Sequence, residues 1–203
     1  EHNCLLTGNS AATILRSVKM RVTGGLVRGR KLMSPAIAGA RPTSDLVRSA
    51  IFNILGQDSI SEARVLDLFA GTGSLGIEAL SREAAWADFV EMSSKQCGVI
   101  KSNLDITGLT NRAEVFCRKT ESALSSLQGS YNLVLMDPPY RMESLAPVLQ
   151  ALEREGLVED GGTVVVGHSK RVALESRYGR LRCSGTRRYG DSAVDVFRAG
   201  LEQ

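Results

Sequence analysis

Residues 131–140, YNLVLMDPPY, place a carboxylate directly after an apolar run and before two prolines and an aromatic ring. The carboxylate of Asp137 can accept a hydrogen bond from an exocyclic amine, and a backbone carbonyl near Pro138 can accept a second one. Because prolines donate no N–H and stiffen a loop, Pro138 and Pro139 leave such a carbonyl free. Tyr140 can stack on the face of a base. The stretch therefore predicts a clamp for a planar amine; a rigid turn with Tyr140 packed on the surface is the alternative.

A second motif, DLFAGTGSLGIEAL, contains the spacing Gly71-x-Gly73-x-x-Gly76. It follows an apolar run and opens a helical pattern, the context in which such glycines let backbone N–H groups approach a ligand. Glu91 ends the next apolar run, 20 residues after Gly71, where an acid can bind both hydroxyls of a ribose. The two features predict a cofactor that carries adenosine, namely NAD, FAD or S-adenosylmethionine. A glycine turn that only packs a helix on a strand is the alternative.

Asp67 distinguishes among these cofactors. It lies inside the first strand, four residues before Gly71. A carboxylate would repel the pyrophosphate of a dinucleotide and attract the ammonium group of a methionine. No Gly-Lys-Ser/Thr follows the glycines, so the loop does not have the pattern of a nucleoside-triphosphate site. Asp67 therefore favours S-adenosylmethionine.

These residues need elements that bring them together, and the hydrophobic pattern supplies them. Strands are predicted over 64–70, 86–91, 113–117, 131–137 and 162–169, with helices over 74–82, 93–108, 120–127 and 143–156. Such alternation predicts right-handed βαβ units and a parallel sheet covered on both faces. Ligands of these sheets bind beyond the carboxyl ends of strands, where the strand order reverses. The first and fourth strands would therefore bring Gly71 and Asp137 to one pocket.

The two ends of the chain depart from this alternation. Residues 179–190 and 192–200 predict an antiparallel hairpin at the sheet edge, because no helix separates them. Residues 20–35 predict short strands broken by glycines, and residues 41–55 predict a helix capped by Thr43 or Ser44. Residues 1–19 have little periodicity and are interpreted as an extension from an upstream start. The predicted organisation is an extension over 1–19, a separate N-terminal unit over 20–60 and a cofactor-binding α/β domain over 61–203.

Charge is distributed unevenly along the 203 residues, whose net charge is +3. Lys and Arg outnumber Asp and Glu by 8 to 3 in residues 1–60 and by 8 to 4 in residues 170–203, whereas residues 61–169 carry 9 against 15. Basic ends indicate an anionic partner, most simply nucleic acid, with solvated surface charge as the alternative. The apolar runs are too short to span a bilayer.

The four cysteines, Cys4, Cys97, Cys117 and Cys183, are scattered and form no C-x-x-C pair. This spacing argues against a zinc site and against a disulfide framework, and it fits a reducing cytoplasm. They are interpreted as small buried apolar residues.

The motifs VLDLFAGTGSLGIEAL and DPPY resemble those of class I S-adenosylmethionine-dependent methyltransferases that modify exocyclic amines. The stretches MRVTGGLVRGRKL, RPTSDLVRSAIFNIL and RRYGDSAVDVF resemble the RsmD family, bacterial enzymes that methylate N2 of a guanine in 16S ribosomal RNA. The resemblance covers residues 20 to about 200. It implies an α/β Rossmann-like sheet of seven strands, parallel with an antiparallel edge hairpin, and an N-terminal β-hairpin and helix. The protein is expected to be a cytoplasmic monomer that acts on a small-subunit particle without metal or membrane; organelle targeting through residues 1–19 is the alternative.

The resemblance assigns roles to residues of this sequence. S-adenosylmethionine would be bound by Asp67, Phe69, Gly71, Thr72, Gly73, Glu91, Met92 and Thr120. The guanine amine would be held by Asp137, Pro138, Pro139 and Tyr140. RNA would be contacted by Arg28, Arg30, Lys31, Arg41, Thr43, Arg48, Arg187, Arg188 and Tyr189.

Two positions depart from the family pattern. The third strand ends in FCRKTESAL, with Arg118 and Lys119 where relatives place an acid that reads adenine, so adenine recognition would fall to backbone groups, Thr120 or Glu121. The fifth strand ends in His168 in place of an acid, and no role is assigned to it. Three other functions stay open: a DNA or protein amine methyltransferase, a non-catalytic RNA-binding relative, and a dinucleotide oxidoreductase, for which no catalytic Tyr/Lys or His/Asp set is evident.

Overall fold

The protein folds around one mixed β-sheet with helices on both faces. The computed structural model describes residues 20–34, 45–139 and 142–200. The strands are β1 (Met20–Arg21), β2 (Lys31–Leu32), β3 (Arg64–Leu68), β4 (Trp86–Glu91), β5 (Ala113–Cys117), β6 (Tyr131–Met136), β7 (Val158–Ser169), β8 (Arg177–Tyr178), β9 (Leu181–Tyr189) and β10 (Ser192–Ala199). The α-helices are α1 (Asp45–Leu55), α2 (Ser74–Ser81), α3 (Ser94–Thr107), α4 (Thr120–Leu124) and α5 (Ala146–Arg154).

The main sheet has the strand order β5-β4-β3-β6-β7-β10-β9-β8. Neighbouring strands from β5 to β7 are parallel, and β10 is antiparallel to both β7 and β9. The predicted parallel sheet with an antiparallel edge hairpin is therefore confirmed. Within the described residues the sheet has eight strands instead of seven, because the two-residue β8 pairs with the start of β9. The strand order reverses between β3 and β6, the position at which open α/β sheets bind ligands.

The central strands are buried on both faces, which explains their nearly continuous apolar sequences. Val65 and Leu66 point to opposite sides of β3, and each is fully buried. One core lies between the sheet and the β1–β2 hairpin with α1, α2 and α3. The other lies between the sheet and α4 with α5. The hairpin and α1 thus share a core with the sheet.

Helix α5 is shorter than predicted and begins at Ala146 instead of residue 143. Pro147 is its second residue, where the missing N–H breaks no intrahelical bond. Strand β7 begins earlier than predicted, at Val158. These differences lie at element ends, and all the strands and helices predicted between residues 64 and 200 are present in the predicted order.

A disulfide joins Cys97 in the first turn of α3 to Cys117 at the end of β5, with their Cα atoms 5.9 Å apart. The interpretation of all four cysteines as unpaired apolar residues is therefore wrong for this pair. Register explains the contact, because Cys117 lies opposite Glu91 and α3 begins three residues after Glu91. Cys183 is a free thiol.

None of the helices in residues 20–34, 45–139 and 142–200 is both long and apolar enough to cross a membrane. The same residues contain no cluster of His, Cys, Asp and Glu side chains that could hold a metal ion.

Candidate active site

The loop from β3 to α2 has a backbone that turns three times through the left-handed region. Phe69, Gly71 and Gly73 have φ angles of 57°, 56° and 76°. Glycine adopts this region without cost, whereas Phe69 is strained there. Strain of this kind is retained where the surrounding structure fixes it, commonly at ligand sites. The glycine spacing predicted a tight turn, but the strained Phe69 backbone had no sequence signal.

Gly76 lets α2 approach the sheet closely. A Cβ atom placed on Gly76 would lie 2.4 Å from the Phe89 ring and 3.2 Å from the carboxylate of Asp67. The N–H of Gly76 donates a 2.8 Å hydrogen bond to Asp67 Oδ2. The third glycine of the motif thus holds a buried carboxylate under the loop.

Glu91 connects the end of β4 to the glycine loop. Its Oε2 accepts a 2.9 Å hydrogen bond from the N–H of Gly71, and its Oε1 accepts one of 2.8 Å from the N–H of Ser93. Each carboxylate oxygen has a second lone pair, which leaves acceptors for two further hydroxyl donors. The structure therefore brings Gly71 and Glu91 together, as their positions after adjacent parallel strands predicted.

Three carboxylates, Asp67, Glu91 and Asp137, lie near the carboxyl ends of β3, β4 and β6, and their charges affect one another. Asp67 is buried, and this burial raises its pKa well above the usual value; the Gly76 hydrogen bond lowers it, while the charges of Asp137 and Glu91 raise it further. Asp137 follows β6, is half-buried, and has a pKa raised to about 7 by burial. Carboxylates that repel one another in a partly dry site are stabilised by a cationic ligand.

Gly167 on β7 leaves room beside Asp137. A Cβ atom at this position would lie 3.0 Å from Asp137 Oδ1. Pro138 is buried and Pro139 is exposed. The Pro139 carbonyl accepts a 2.8 Å hydrogen bond from the N–H of Met142 and so closes the turn after the motif. Tyr140, the fourth residue of the predicted amine clamp, lies outside the described residues.

The part of the cofactor site that is predicted to face the adenine lies where β4 and β5 end. Met92 is exposed, whereas Thr120 is buried at the first position of α4. The Arg118 guanidinium donates a 3.2 Å hydrogen bond to Ser126 Oγ and lies 5.9 Å from the Phe116 ring centre. Arg118 is thereby held along α4, and Glu121 is exposed on the same helix.

Two of the predicted RNA-binding arginines lie on the sheet edge that carries Asp137. Arg187 on β9 is in register with Val194 on β10, which is in register with Gly167 on β7. Three interstrand spacings then separate the Arg187 backbone from the end of β6, roughly 14 Å. Arg187 and Arg188 are exposed, and Tyr189 is half-buried against the core.

The predicted basic residues Arg28, Arg30 and Lys31 belong to the β1–β2 hairpin and its turn. Arg28, Arg30 and Lys31 are exposed, but the hairpin turn contacts the carboxyl end of α2, where Leu26 N–H donates to the Ser81 carbonyl at 2.7 Å. Helix α2 has eight residues and is about 12 Å long. The turn is therefore about one helix length away from the glycine loop.

Arg48 is wrongly placed in the predicted RNA-binding set. Its side chain is fully buried, donates a 2.6 Å hydrogen bond to the Arg21 carbonyl and lies 3.9 Å from Glu78 Oε2. Arg48 sits on the same helix face as Val47, Ile51, Phe52 and Leu55, so the packing of α1 determines its environment. Arg41 and Thr43 lie outside the described residues.

Sequence reasoning missed two buried polar residues behind the site. Glu78 on α2 accepts hydrogen bonds of 2.7 Å from both the N–H and the hydroxyl of Thr23. Asn103 on α3 bonds both to Met33 and to Thr72 of the glycine loop. The available signal was a polar residue inside an apolar helical stripe, but the partners lie 31 to 70 residues away.

The residues present fit S-adenosylmethionine. Its sulfonium and ammonium groups carry two positive charges and its carboxylate one negative charge, so its net charge is positive. A cation suits a site lined by Asp67, Glu91 and Asp137. Glu91 retains acceptors for ribose hydroxyls, and the Gly76 contact keeps Asp67 close beneath the loop. A pyrophosphate would meet these carboxylates instead.

The fold, together with the site at the carboxyl ends of β3, β4 and β6, defines an S-adenosylmethionine-dependent methyltransferase of class I. The family described as conserved hypothetical protein 95, the RsmD family, matches residues 20–198, and the chain belongs to it. The ribosomal RNA small subunit methyltransferase D of Escherichia coli strain K12 is 39% identical over 150 residues, which are 74% of this chain and 75% of that one.

Solved structures agree with this assignment. The yhhF protein of Escherichia coli is 31% identical, with a TM-score of 0.81, and the match covers 91% of this chain and 100% of the other. SMU.776, solved in complex with SAH, is 14% identical with a TM-score of 0.63 over 83% of this chain and 52% of its own, a likeness that shows the fold alone.

Proposed function

We propose that this protein transfers a methyl group to the exocyclic N2 amine of a guanine in small-subunit (16S) ribosomal RNA. The observation that carries the proposal is the position of Asp137, at the carboxyl end of β6 and electrostatically coupled to Asp67 beneath the glycine loop. The relative named above as a ribosomal RNA small subunit methyltransferase supports the substrate class.

In this proposal the chain's residues hold the reactants. Asp67, Phe69, Gly71, Thr72, Gly73, Glu91, Met92 and Thr120 bind S-adenosylmethionine, which when bound supplies a methyl group on a positively charged sulfur. Asp137 accepts one N–H of the guanine amine. The Pro139 carbonyl already accepts a hydrogen bond from Met142, and we assign the second N–H of the amine to the carbonyl of Pro138. Two such bonds orient the nitrogen lone pair, and this orientation is the main catalytic contribution.

The Asp137 carboxylate can also act as the base that takes up the proton released by the amine. Its pKa of about 7 means that the carboxylate and the carboxylic acid are both accessible near neutral pH. A group with such a pKa accepts a proton during transfer and returns it to water afterwards. Burial beside Gly167 causes this raised pKa, so the acidity is a property of the site's shape.

Arg187, Arg188 and Tyr189 bind the RNA on the active edge, while Arg28, Arg30, Lys31, Arg41 and Thr43 bind it along the N-terminal unit. Arginine contacts with phosphates position a nucleic acid without reading its sequence. We further propose that the substrate is a small-subunit particle and that the protein acts as a monomer, without metal, in the cytoplasm.

The test is methyl transfer from labelled S-adenosylmethionine to small-subunit particles, naked 16S RNA and duplex DNA, offered separately. Label on N2 of a guanine in small-subunit RNA is expected, with particles favoured over naked RNA. Label in DNA alone would favour the second candidate, a DNA amine methyltransferase. The absence of label in all three, despite cofactor binding by calorimetry, would overturn the proposal.

The clamp is tested by Asp137→Asn, which keeps the shape of the side chain and removes the carboxylate. We expect the methyl-transfer rate at saturating cofactor to fall by about 10² or more, because the asparagine amide still accepts a hydrogen bond but lacks the negative charge and cannot take up the proton. The cofactor Kd should stay within about threefold of wild type, below the tenfold that 1.4 kcal/mol represents. Asp105→Asn, an exposed position on α3, is the control. Equal losses of transfer and cofactor binding would contradict the role of Asp137.

A further inference from the structure

Asn103 connects two parts of the molecule that the sequence motifs treat separately. It lies on α3, is fully buried, and uses one side-chain amide to bond to both parts. Its Oδ1 accepts a 2.7 Å hydrogen bond from the N–H of Met33, and its Nδ2 donates to the Met33 carbonyl at 3.1 Å. Nδ2 also donates to the Thr72 carbonyl at 2.9 Å.

The first two bonds extend the N-terminal hairpin. An asparagine amide that pairs with both the N–H and the carbonyl of one residue reproduces the pattern of a neighbouring strand. Met33 follows β2 directly, so the amide fixes the end of the hairpin against α3. This anchor lies at the opposite end of the hairpin from the turn that contacts Ser81.

The third bond fixes the glycine loop. Thr72 lies between Gly71, whose N–H is held by Glu91, and Gly73, which precedes α2 in the left-handed region. The Thr72 hydroxyl lies 3.5 Å from the sulfur of Met20, a residue of β1. The loop peptide is thus oriented from outside the loop, by α3 and by the hairpin.

We propose that Asn103 is a positioning residue that holds the glycine loop in its cofactor-binding shape and links that shape to the docked hairpin. Thr72 is flanked by two glycines, Gly71 and Gly73, and a free loop with this sequence has many conformations available. Holding it in one conformation removes an ordering cost from cofactor binding. Asn103 therefore contributes to cofactor affinity without touching the cofactor.

The experiment compares Asn103→Ala with Thr107→Ala by calorimetry and by steady-state kinetics. Thr107 is a matched control because it is also buried on α3, one turn later, and its hydroxyl bonds only to the α3 carbonyls of Asn103 and Leu104. Asn103→Ala removes the hydrogen bonds to Met33 and Thr72. It is therefore expected to raise the Kd for S-adenosylhomocysteine about tenfold. It should raise the KM for S-adenosylmethionine by a similar factor. The kcat at saturating cofactor should stay within about twofold of wild type, far below the tenfold change that corresponds to about 1.4 kcal/mol. Thr107→Ala should leave both constants unchanged.

A second variant keeps the test decisive if Asn103→Ala does not fold. Asn103→Asp has the same shape and still accepts from Met33 N–H, but its other oxygen faces the carbonyls of Met33 and Thr72. As pH rises and the new carboxyl ionises, repulsion should displace the loop, so cofactor affinity should fall with pH more steeply than in wild type. When protonated, the side chain can donate to one of the carbonyls.

Three outcomes would overturn the proposal. The first is an unchanged cofactor Kd in folded Asn103→Ala, and the second is a wild-type pH dependence in Asn103→Asp. The third is an equal loss of affinity in Thr107→Ala, which would mean that general loosening of α3 is responsible. The inference rests on the methyltransferase assignment, but its calorimetric readout, the Kd for S-adenosylhomocysteine, needs no RNA substrate. A failure of the ribosomal-RNA proposal would therefore leave these measurements interpretable.

Discussion

The half-buried side chain of Asp137 is expected to make the activity of the protein depend on pH near neutrality. Its pKa is raised to about 7, so the folded protein holds this proton more tightly than an unfolded chain does. Ionisation between the usual value and 7 therefore costs folding free energy, and the carboxylate form becomes dominant only above neutrality. The proposed acceptor of the amine N–H is this carboxylate.

We expect kcat at saturating cofactor to rise with pH through about 7 and to level off above pH 8. For one group with this pKa, the ionised fraction increases about tenfold between pH 6 and pH 8. Steady-state rates over that range measure the effect, with Asp137→Asn as the comparison. A wild-type profile that is flat, or one shared by the variant, would assign the rate-limiting ionisation to another group.

Arg48 shows where single-residue reasoning fails. Its charge and its neighbourhood suggested an RNA contact, yet its position relative to Ile51 and Phe52 places it on the packed face of α1. Which face of an amphipathic helix carries a flanking arginine depends on what the helix packs against. The sequence gives no direct view of that packing.

At the scale of elements, the close contact between α2 and the sheet depends on Gly76. The contact places the N–H of Gly76 on Asp67 and the Cα of Gly76 over the Phe89 ring. An added methyl group would have to displace a fully buried ring from the core. Cores that are already filled accept such additions poorly.

Gly76→Ala should lower the free energy of unfolding by about 2 kcal/mol, in the range for overpacked sites. Gly98→Ala is the matched comparison, because a Cβ at that exposed position of α3 would meet nothing within 4 Å. That change should raise the free energy of unfolding by about 0.5–1 kcal/mol, since alanine favours helix. Urea denaturation of both variants measures the difference. Similar effects from the two substitutions would show that helix propensity, and not the sheet contact, decides.

Elements were predictable where the chain's own periodicity defines them. Strands β3 to β7 and the helices between them follow from apolar runs and 3.6-residue spacing, and the meeting of Gly71 with Glu91 follows from adjacent parallel strands. Contacts such as Asn103 with Met33 and Cys97 with Cys117 depend on how separate elements pack. The first spans 70 residues, and the second requires the register of β4 with β5. Neither can be read from local pattern.

At the scale of the whole molecule, Glu78 joins the N-terminal unit to the methyltransferase sheet. It is fully buried, bonds to Thr23 of the hairpin and to Arg82 at 2.9 Å, and lies near Arg48 of α1. One carboxylate thus neutralises charge from two helices and satisfies a backbone N–H of the hairpin. The extension is coupled to the sheet through polar as well as apolar contacts.

Glu78→Gln should lower the free energy of unfolding by about 3 kcal/mol, because it leaves buried arginine charge without this carboxylate. Chemical denaturation provides the measurement, and limited proteolysis should show earlier cleavage within residues 20–34. Glu114→Gln, an exposed position on β5, should change stability by less than about 0.5 kcal/mol. A loss at Glu78 no larger than at Glu114 would mean that the apolar contacts alone hold the hairpin.

The strand order has a consequence for synthesis on the ribosome. Strand β10 follows β9 in the chain but lies between β7 and β9 in the sheet. While translation has reached only residue 190, β7 lacks its neighbour on that side and β9 has no long partner. The edge that carries Arg187 and Arg188 therefore assembles only after β10 has emerged. Until then the basic strand β9 has only the two-residue β8 as a partner in the sheet.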